Sequence, residues 1–366
     1  MLGPRMATVR IELPPQGYTV TIEPGALARL GALVRAEAPS ARCALIADRT
    51  VARLHGEAAR RSLESAGFAV AVELVDGEEH KNLESVARLY DALVSHGLER
   101  SSPVIALGGG VAGDTAGFAA ATYLRGVPFI QCPTTLLAMV DASVGGKVGV
   151  NLPQGKNLVG AFHQPRAVVI DPELLRTLPA RELAAGLAEC IKHAVIADPA
   201  LFEQIEGNAA RLRALEADAL VDLIRRNVEI KASVVMQDER ESGVRAHLNL
   251  GHTFGHALEA AFGFGKLLHG EAVGLGMLAA ASLAEQLGVC GPDVRKRLDA
   301  LLPAVGLPTR ITLPPLGALR SAMKVDKKAS GARLRFVLPQ RIGAVCLRDD
   351  VPPERVDQAW DAVRAA

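Results

Sequence analysis

At 366 residues the chain is long enough for two domains, each burying its own core, and its 49% hydrophobic and 22% charged residues give the composition of an ordinary globular protein. A net charge of +1 excludes a broad electrostatic field for nucleic acid or an anionic membrane, so any anion recognition must be local. No run approaches transmembrane length and no apolar leader opens the sequence, so a cytoplasmic protein is expected.

Residues 7–22 alternate apolar and polar side chains around Val9-Arg10-Ile11 and Tyr18-Thr19-Val20-Thr21-Ile22, which predicts an antiparallel pair. Helix and strand then take turns. Helical spacing covers 27–38, 51–66, 82–96 and 111–123, and short apolar strands cover 42–47, 68–75, 103–107 and 128–132. Such alternation specifies a parallel sheet covered on both faces. Beyond about Leu178 helical spacing dominates, over 180–194, 199–213, 217–239, 253–262, 271–287 and 294–302. A helix from Leu316, a hairpin around 333–338 and 342–346 and a final helix close the chain. The expected fold is α/β: a Rossmann-like parallel-sheet nucleotide-binding domain over 1–178, then a mainly helical metal- and substrate-binding domain over 179–366. The five cysteines are dispersed, mostly in apolar runs such as Cys43-Ala44-Leu45-Ile46, and read as small buried hydrophobes in a reducing compartment.

The densest chemistry lies in Gly251 to Glu259 and Leu268 to Gly274. His252 and His256 share a helical face and His269 follows a glycine-broken loop, three of nine histidines within eighteen residues. Neutral imidazole is the commonest nitrogen ligand of a divalent ion, so a metal site is expected over histidines satisfied in a core. Glu189, in Ala188-Glu189-Cys190-Ile191-Lys192-His193, can add an oxygen ligand and leave a position open for solvent or substrate. The spacing leaves the two imidazoles open among His193, His252, His256 and His269.

Three strands end in candidate nucleotide contacts. Asp48 closes the first buried strand, where a carboxylate either accepts ribose hydroxyls or caps the next helix. The second ends in Asp76-Gly77-Glu78-Glu79-His80-Lys81, and the third in Gly108-Gly109-Gly110-Val111-Ala112-Gly113-Asp114. Gly108, Gly110 and Gly113 satisfy G-x-G-x-x-G at a strand-to-helix turn, which admits a pyrophosphate to the positive end of the helix. A glycine turn that merely packs tightly is the competing explanation, and the acid expected about twenty residues further on is missing.

Arginine outnumbers lysine 31 to 10, so a lysine retained against that preference points to a need for a compact, mobile charge, and eight of the ten fall in the segments singled out by motif. Lys147 and Lys156 each follow a glycine in what read as short loops, with Asn157 alongside, an anion-binding constellation between Thr134-Thr135 and the helical half. Lys192, Lys231, Glu241, Arg245 and Asn249 lead into the histidine helix.

In order and spacing, the motifs 76–81, 108–114, 141–162, 188–193, 245–259 and 269–274 resemble those of the 3-dehydroquinate synthase family, over nearly the whole chain. The resemblance implies a homodimeric enzyme holding NAD and a zinc or cobalt ion. Its reaction would turn 3-deoxy-arabino-heptulosonate 7-phosphate into 3-dehydroquinate and phosphate, the second step of the shikimate pathway. It makes Glu189, His252 and His269 the metal ligands. It assigns NAD to Asp48, to Asp76, Gly77, Glu78, Glu79, His80 and Lys81, to Gly110, Val111, Ala112, Gly113 and Asp114, and to Thr134, Thr135, Lys147 and Lys156. It assigns the substrate to Asp141, Lys147, Asn157, Lys192, Lys231, Glu241, Arg245, Asn249 and His256, with Arg125 reaching a neighbouring subunit and Lys327 or Lys328 adding a further cation. Thr50 stands where the family often has asparagine, which weakens the adenosine contact near Asp48.

Two rivals share the architecture: another sugar-phosphate cyclase, and a metal-dependent polyol dehydrogenase. Gly146-Lys147-Val148-Gly149-Val150-Asn151 and Gly155-Lys156-Asn157-Leu158 favour the synthase over the first, and the phosphate-holding lysines disfavour the second. A catalytically silent NAD-binding regulator would be expected to have lost a ligand or a lysine, and every one is present.

Overall fold

The computed structural model describes residues 6–14, 17–241, 243–263, 265–330 and 334–365, the side chains of 324–330 excepted. In chain order the elements are β1 (Ala7–Ile11), β2 (Tyr18–Ile22), α1 (Leu30–Glu37), β3 (Arg42–Asp48), α2 (Arg49–Val51), α3 (Glu57–Ser65), β4 (Ala69–Val75), α4 (Leu83–Ser95), β5 (Val104–Gly108), α5 (Gly110–Thr122), β6 (Phe129–Pro133), β7 (Lys147–Leu152), β8 (Gly155–Phe162) and β9 (Ala167–Ile170). There follow α6 (Ala180–Ala197), α7 (Pro199–Arg213), α8 (Ala217–Gln237), α9 (His252–Phe262), α10 (His269–Gln286), α11 (Asp293–Ala304), α12 (Leu316–Ser330), β10 (Phe336–Arg341), β11 (Ala344–Arg348) and α13 (Pro353–Ala359). Among the described residues no helix is long and apolar enough to cross a membrane.

Two compact units emerge, Met1–Leu178 with Ala217–Arg240, and Pro179–Glu216 with Glu241–Ala366. The sequence-based division at 178 therefore needs correcting over α8. This helix belongs to the first unit because its apolar face packs on β1, β2 and the turn Ala138–Ala142.

The first unit carries a seven-stranded sheet in the order β1-β2-β9-β6-β5-β3-β4. The β1–β2 pair is antiparallel and the other neighbours are parallel. Every residue of β5 is buried, as are Cys43 to Ala47 of β3, and continuous apolar runs of this kind are what a strand covered on both faces requires. β9 completes the sheet between β2 and β6; four apolar residues are too short a run to stand out in the sequence. The register brings the candidate turns of the first unit together. Asp48 lies opposite Val75, Ala47 opposite Leu107 and Gly108 opposite Pro133, so the carboxyl ends of β3, β4, β5 and β6 share one edge.

Lys147 and Lys156 are not on loops. Lys147 opens β7 and Lys156 is the second residue of β8, the two strands forming an antiparallel ribbon with Gly149 opposite Gly160. Val148 and Val150 drive its formation by entering the core shared with Ala116, Ala119 and Phe129. The many glycines obscured the two-residue alternation, which is why the segment read as irregular.

In the second unit the helices dominate, with β10 and β11 as a hairpin. Two glycines set the packing of α10. A Cβ at Gly270 would lie 2.0 Å from the Ala185 carbonyl oxygen on α6, and one at Gly276 would lie 2.0 Å from the Gly251 oxygen at the start of α9. Only glycine allows backbones this close. These contacts bring together Glu189 on α6 and the first residues of α9 and α10, His252 and His269.

Candidate functional site

Glu189, His252 and His269 offer ligand atoms that all lie within 4.8 Å of one another. Nε2 of His252 is 3.9 Å, and Nε2 of His269 3.7 Å, from Oε1 of Glu189. Glu189 is 1% exposed; the Lys192 ammonium makes an ion pair with its Oε2, and its Oε1 has no hydrogen-bond partner. A buried carboxylate oxygen left in that state is costly unless a cation takes its lone pairs.

Both imidazoles already have Nδ1 engaged. His252 donates it to the Leu250 carbonyl oxygen and His269 donates it to Glu259 Oε2, each at 3.2 Å, which turns Nε2 of both rings toward Glu189. Burial, with the neighbouring Lys192 ammonium, holds the pKa of His252 well below the ordinary value, so the ring is neutral as a ligand must be. For His269 burial acts downward too, but the Glu259 bond and the Glu189 charge outweigh it and raise the pKa, as befits a place that favours positive charge. The donor set therefore fits one divalent ion with a further position open.

Around this group the second unit supplies buried cations. Lys192 and Arg245 are each 2% exposed. Asn249 donates from Nδ2 to Glu241 Oε1 at 3.2 Å, and Glu241 itself sits in the left-handed region at φ 60°. His256 is exposed, its ring 5.3 Å from that of His252 and 6.0 Å from that of His269.

On the first unit, Lys81 donates to Asp114 Oδ2 and Asn157 Oδ1, both at 2.6 Å. Asn151 donates to Glu78 Oε1 and accepts the Asn157 N–H, both at 2.9 Å, and Lys156 lies 3.9 Å from Glu78. The turn after β4, the start of α5 and the ribbon thus form one polar network. Lys231 of α8 pairs with Asp141 Oδ1 at 2.8 Å. In the glycine turn, a Cβ at Gly108 would meet Ala112 Cβ at 2.6 Å and one at Gly113 would meet Gln131 Oε1 at 2.8 Å, so these two serve packing. Gly110 has nothing nearer than Ala142 Cβ at 3.8 Å, so packing does not require a glycine there. Thr134 adds a buried hydroxyl without a hydrogen-bond partner.

Residues 71–185 match the family description "3-dehydroquinate synthase N-terminal", and residues 186–329 match "3-dehydroquinate synthase C-terminal". The chain belongs to the 3-dehydroquinate synthase family. It is 50% identical over 348 residues to the 3-dehydroquinate synthase of Geobacter metallireducens, covering 94% of this chain and 97% of that one. Among solved structures it resembles 2-epi-5-epi-valiolone synthase from Streptomyces hygroscopicus with NAD+ and Zn2+ bound, at TM-score 0.87 and 33% identity over 95% of this chain and 97% of that chain. It also resembles 2-deoxy-scyllo-inosose synthase complexed with carbaglucose-6-phosphate, NAD+ and Co2+, at TM-score 0.88 and 25% identity over 98% and 100%.

Several residues expected at a family site have local work as well. Asp48 Oδ1 accepts the N–H groups of Thr50 at 2.8 Å and Val51 at 3.1 Å, so the capping alternative is realised. Asp76 pairs with Arg49 at 2.6 Å, and Thr135 Oγ1 accepts the Ala138 N–H at 3.1 Å. Arg125 lies apart on an exposed turn at φ 69°, beside Leu124 at φ 49°. Lys327 and Lys328 fall on α12, where their side chains are not described. Sequence reasoning gave no role to Glu259 or Asn151. The signals were there: Glu259 continues the spacing of His252 and His256 on one helical face, and Asn151 is a polar residue one short of the end of an apolar strand.

Proposed function

We propose that this enzyme converts 3-deoxy-D-arabino-heptulosonate 7-phosphate into 3-dehydroquinate and inorganic phosphate, with NAD on the first unit and one Zn2+ or Co2+ held by Glu189, His252 and His269. One observation carries the metal assignment: the fully buried Glu189 carboxylate has an Oε1 without a hydrogen bond, within 4 Å of the Nε2 atoms of two imidazoles whose Nδ1 atoms are already engaged. Half of all aligned positions are identical to a 3-dehydroquinate synthase, against a third for the valiolone synthase, which favours the heptulosonate phosphate as substrate.

When bound, the ion polarises substrate hydroxyls as a Lewis acid, and the nicotinamide accepts a hydride and returns it in the same turnover. The chain's own groups bind and orient. On the second unit Lys192 and Arg245 supply charge and donors for an anionic group, and Glu241, Asn249 and His256 hold hydroxyls. On the first unit Lys147, Lys231 and Asn157 supply charge and donors for an anionic group, and Asp141 holds a hydroxyl. The glycine turn at Gly110, the hydroxyl of Thr134 and the network around Lys81 receive the dinucleotide. Elimination and ring closure then need orientation and exclusion of water above all. The reading extends to a cytoplasmic homodimer, in which the strained turn at Leu124 and Arg125 presents a cation to the second copy.

The test is to incubate purified enzyme with the heptulosonate phosphate and NAD and follow phosphate. Release that EDTA abolishes, with no net NADH, is expected. Steady NADH production would mean a dehydrogenase, and equal turnover of sedoheptulose 7-phosphate, which lacks the carboxylate, would mean another cyclase. Light scattering of the wild type reads the dimer directly.

A further inference from the structure

His252, His256 and Glu259 follow one another at spacings of four and three along α9 and so line one face of the helix. A stripe at that spacing ordinarily carries apolar side chains. Glu259 is nonetheless 8% exposed, and its Oε2 accepts the Nδ1–H of His269 at 3.2 Å. The two imidazoles facing Glu189 are thus oriented by different means. His252 is tied to a backbone carbonyl two residues away, whereas His269, at the first position of α10 with its side chain 34% exposed, is tied to a side chain on a different helix.

We propose that Glu259 is the positioning residue of the metal centre: by accepting the Nδ1–H of His269 it fixes the tautomer and the ring direction that present the Nε2 lone pair toward Glu189. The inference rests on the reading of Glu189, His252 and His269 as ligands. Neutral imidazole carries its proton on either nitrogen, and only the Nδ1–H tautomer leaves Nε2 free to ligate. An acceptor held in place by a neighbouring helix selects that tautomer before any ion arrives and increases the basicity of the ligating nitrogen. His256, Glu259 and His269 also offer atoms within 4.8 Å of one another, so a different role for Glu259, as ligand to a second ion, makes an opposite prediction.

The experiment titrates metal-free full-length wild type, Glu259→Ala and Glu259→Gln with Co2+, following the visible d–d bands, and measures Zn2+ affinity by chelator competition. Melting of the metal-free proteins controls for folding. Glu259→Ala is expected to lose about 10- to 100-fold in metal affinity and to shift the cobalt bands. Glu259→Gln keeps an acceptor oxygen and is expected to recover most of the affinity and the wild-type spectrum. Wild-type affinity and spectrum in Glu259→Ala overturn the inference while leaving the metal reading intact, and a Gln variant as impaired as the Ala variant overturns the orienting role. Two ions per wild-type chain falling to one in Glu259→Ala make Glu259 a ligand and overturn it as well. Failure of the wild type to bind any ion removes the metal reading and this inference with it.

Discussion

Lys81, 5% exposed by side chain, lies 2.6 Å from Oδ2 of Asp114 and so links the turn after β4 to the first turns of α5. Removing one partner of a buried pair strands the other charge, which is more damaging than losing the attraction itself. Lys81→Met should therefore lower stability by about 3 kcal/mol in urea denaturation. Adding Asp114→Asn should recover most of that loss, because no unpaired charge remains. Calorimetric titration with NAD should find weak binding in both variants; wild-type affinity in either removes the turn from the coenzyme site.

The glycines of the turn separate packing from ligand contact. Gly108→Ala drives a methyl into Ala112 and should lower stability by about 1–3 kcal/mol. Gly110→Ala meets only ordinary van der Waals contact, with Ala142 Cβ at 3.8 Å, so its melting temperature should match the wild type while its KM for NAD rises. The idea fails if both variants lose stability equally and keep their KM.

Gly270→Ala acts on the metal centre at a distance. Its Cβ would face the Ala185 carbonyl oxygen at 2.0 Å, so α6 and α10 must part, carrying Glu189 away from His269. A loss of about 2 kcal/mol in stability is expected, together with weaker zinc binding by chelator competition. Destabilisation with zinc affinity unchanged would detach the helix packing from the ion.

His269→Ala should lose metal and phosphate-releasing activity together, measured by elemental analysis and a phosphate assay. Its metal-free melting curve should stay close to that of metal-free wild type, since a catalytic ion is seldom the main support of a fold. Full activity in a metal-free variant would contradict the assignment.

The cysteines should be inert in the folded enzyme. Burial pushes the thiols of Cys43 and Cys132 up to about 12 and that of Cys290 up to about 11, so at pH 8 each stays protonated and lacks the nucleophilic thiolate. Ellman's reagent should react with them only after guanidine unfolds the chain. Rapid labelling of native Cys43 or Cys132 would show that the sheet opens.

Much of this was legible because the signals were local. Alternating helix and strand, the G-x-G-x-x-G turn and the His-x3-His pair each depend on residues within a few positions of one another. What escaped depends on contacts distant in sequence. Nothing near Ala217 announces that α8 joins the sheet unit, and the alternation of Val148 and Val150 is hidden by the glycines of the ribbon. The three-histidine cluster was plain, but that His252 and His269 come within 4 Å of Glu189 depends on the backbone approach at Gly270 and Gly276. Asp48 could be read as cap or as ribose contact from position alone, and the hydrogen bonds from Thr50 and Val51 to its Oδ1 show the cap without testing the ribose contact.

The division of the chain into Met1–Leu178 with Ala217–Arg240, and Pro179–Glu216 with Glu241–Ala366, has a consequence for how the gene can be cut. No single break yields either half whole: stopping at Leu178 leaves the sheet without the helix that covers β1 and β2, and starting at Pro179 burdens the other product with an apolar helix that has lost its bed. Heredity thus transmits the two halves as interleaved strips, and recombination that shuffles one of them intact between relatives must exchange two stretches of DNA at once.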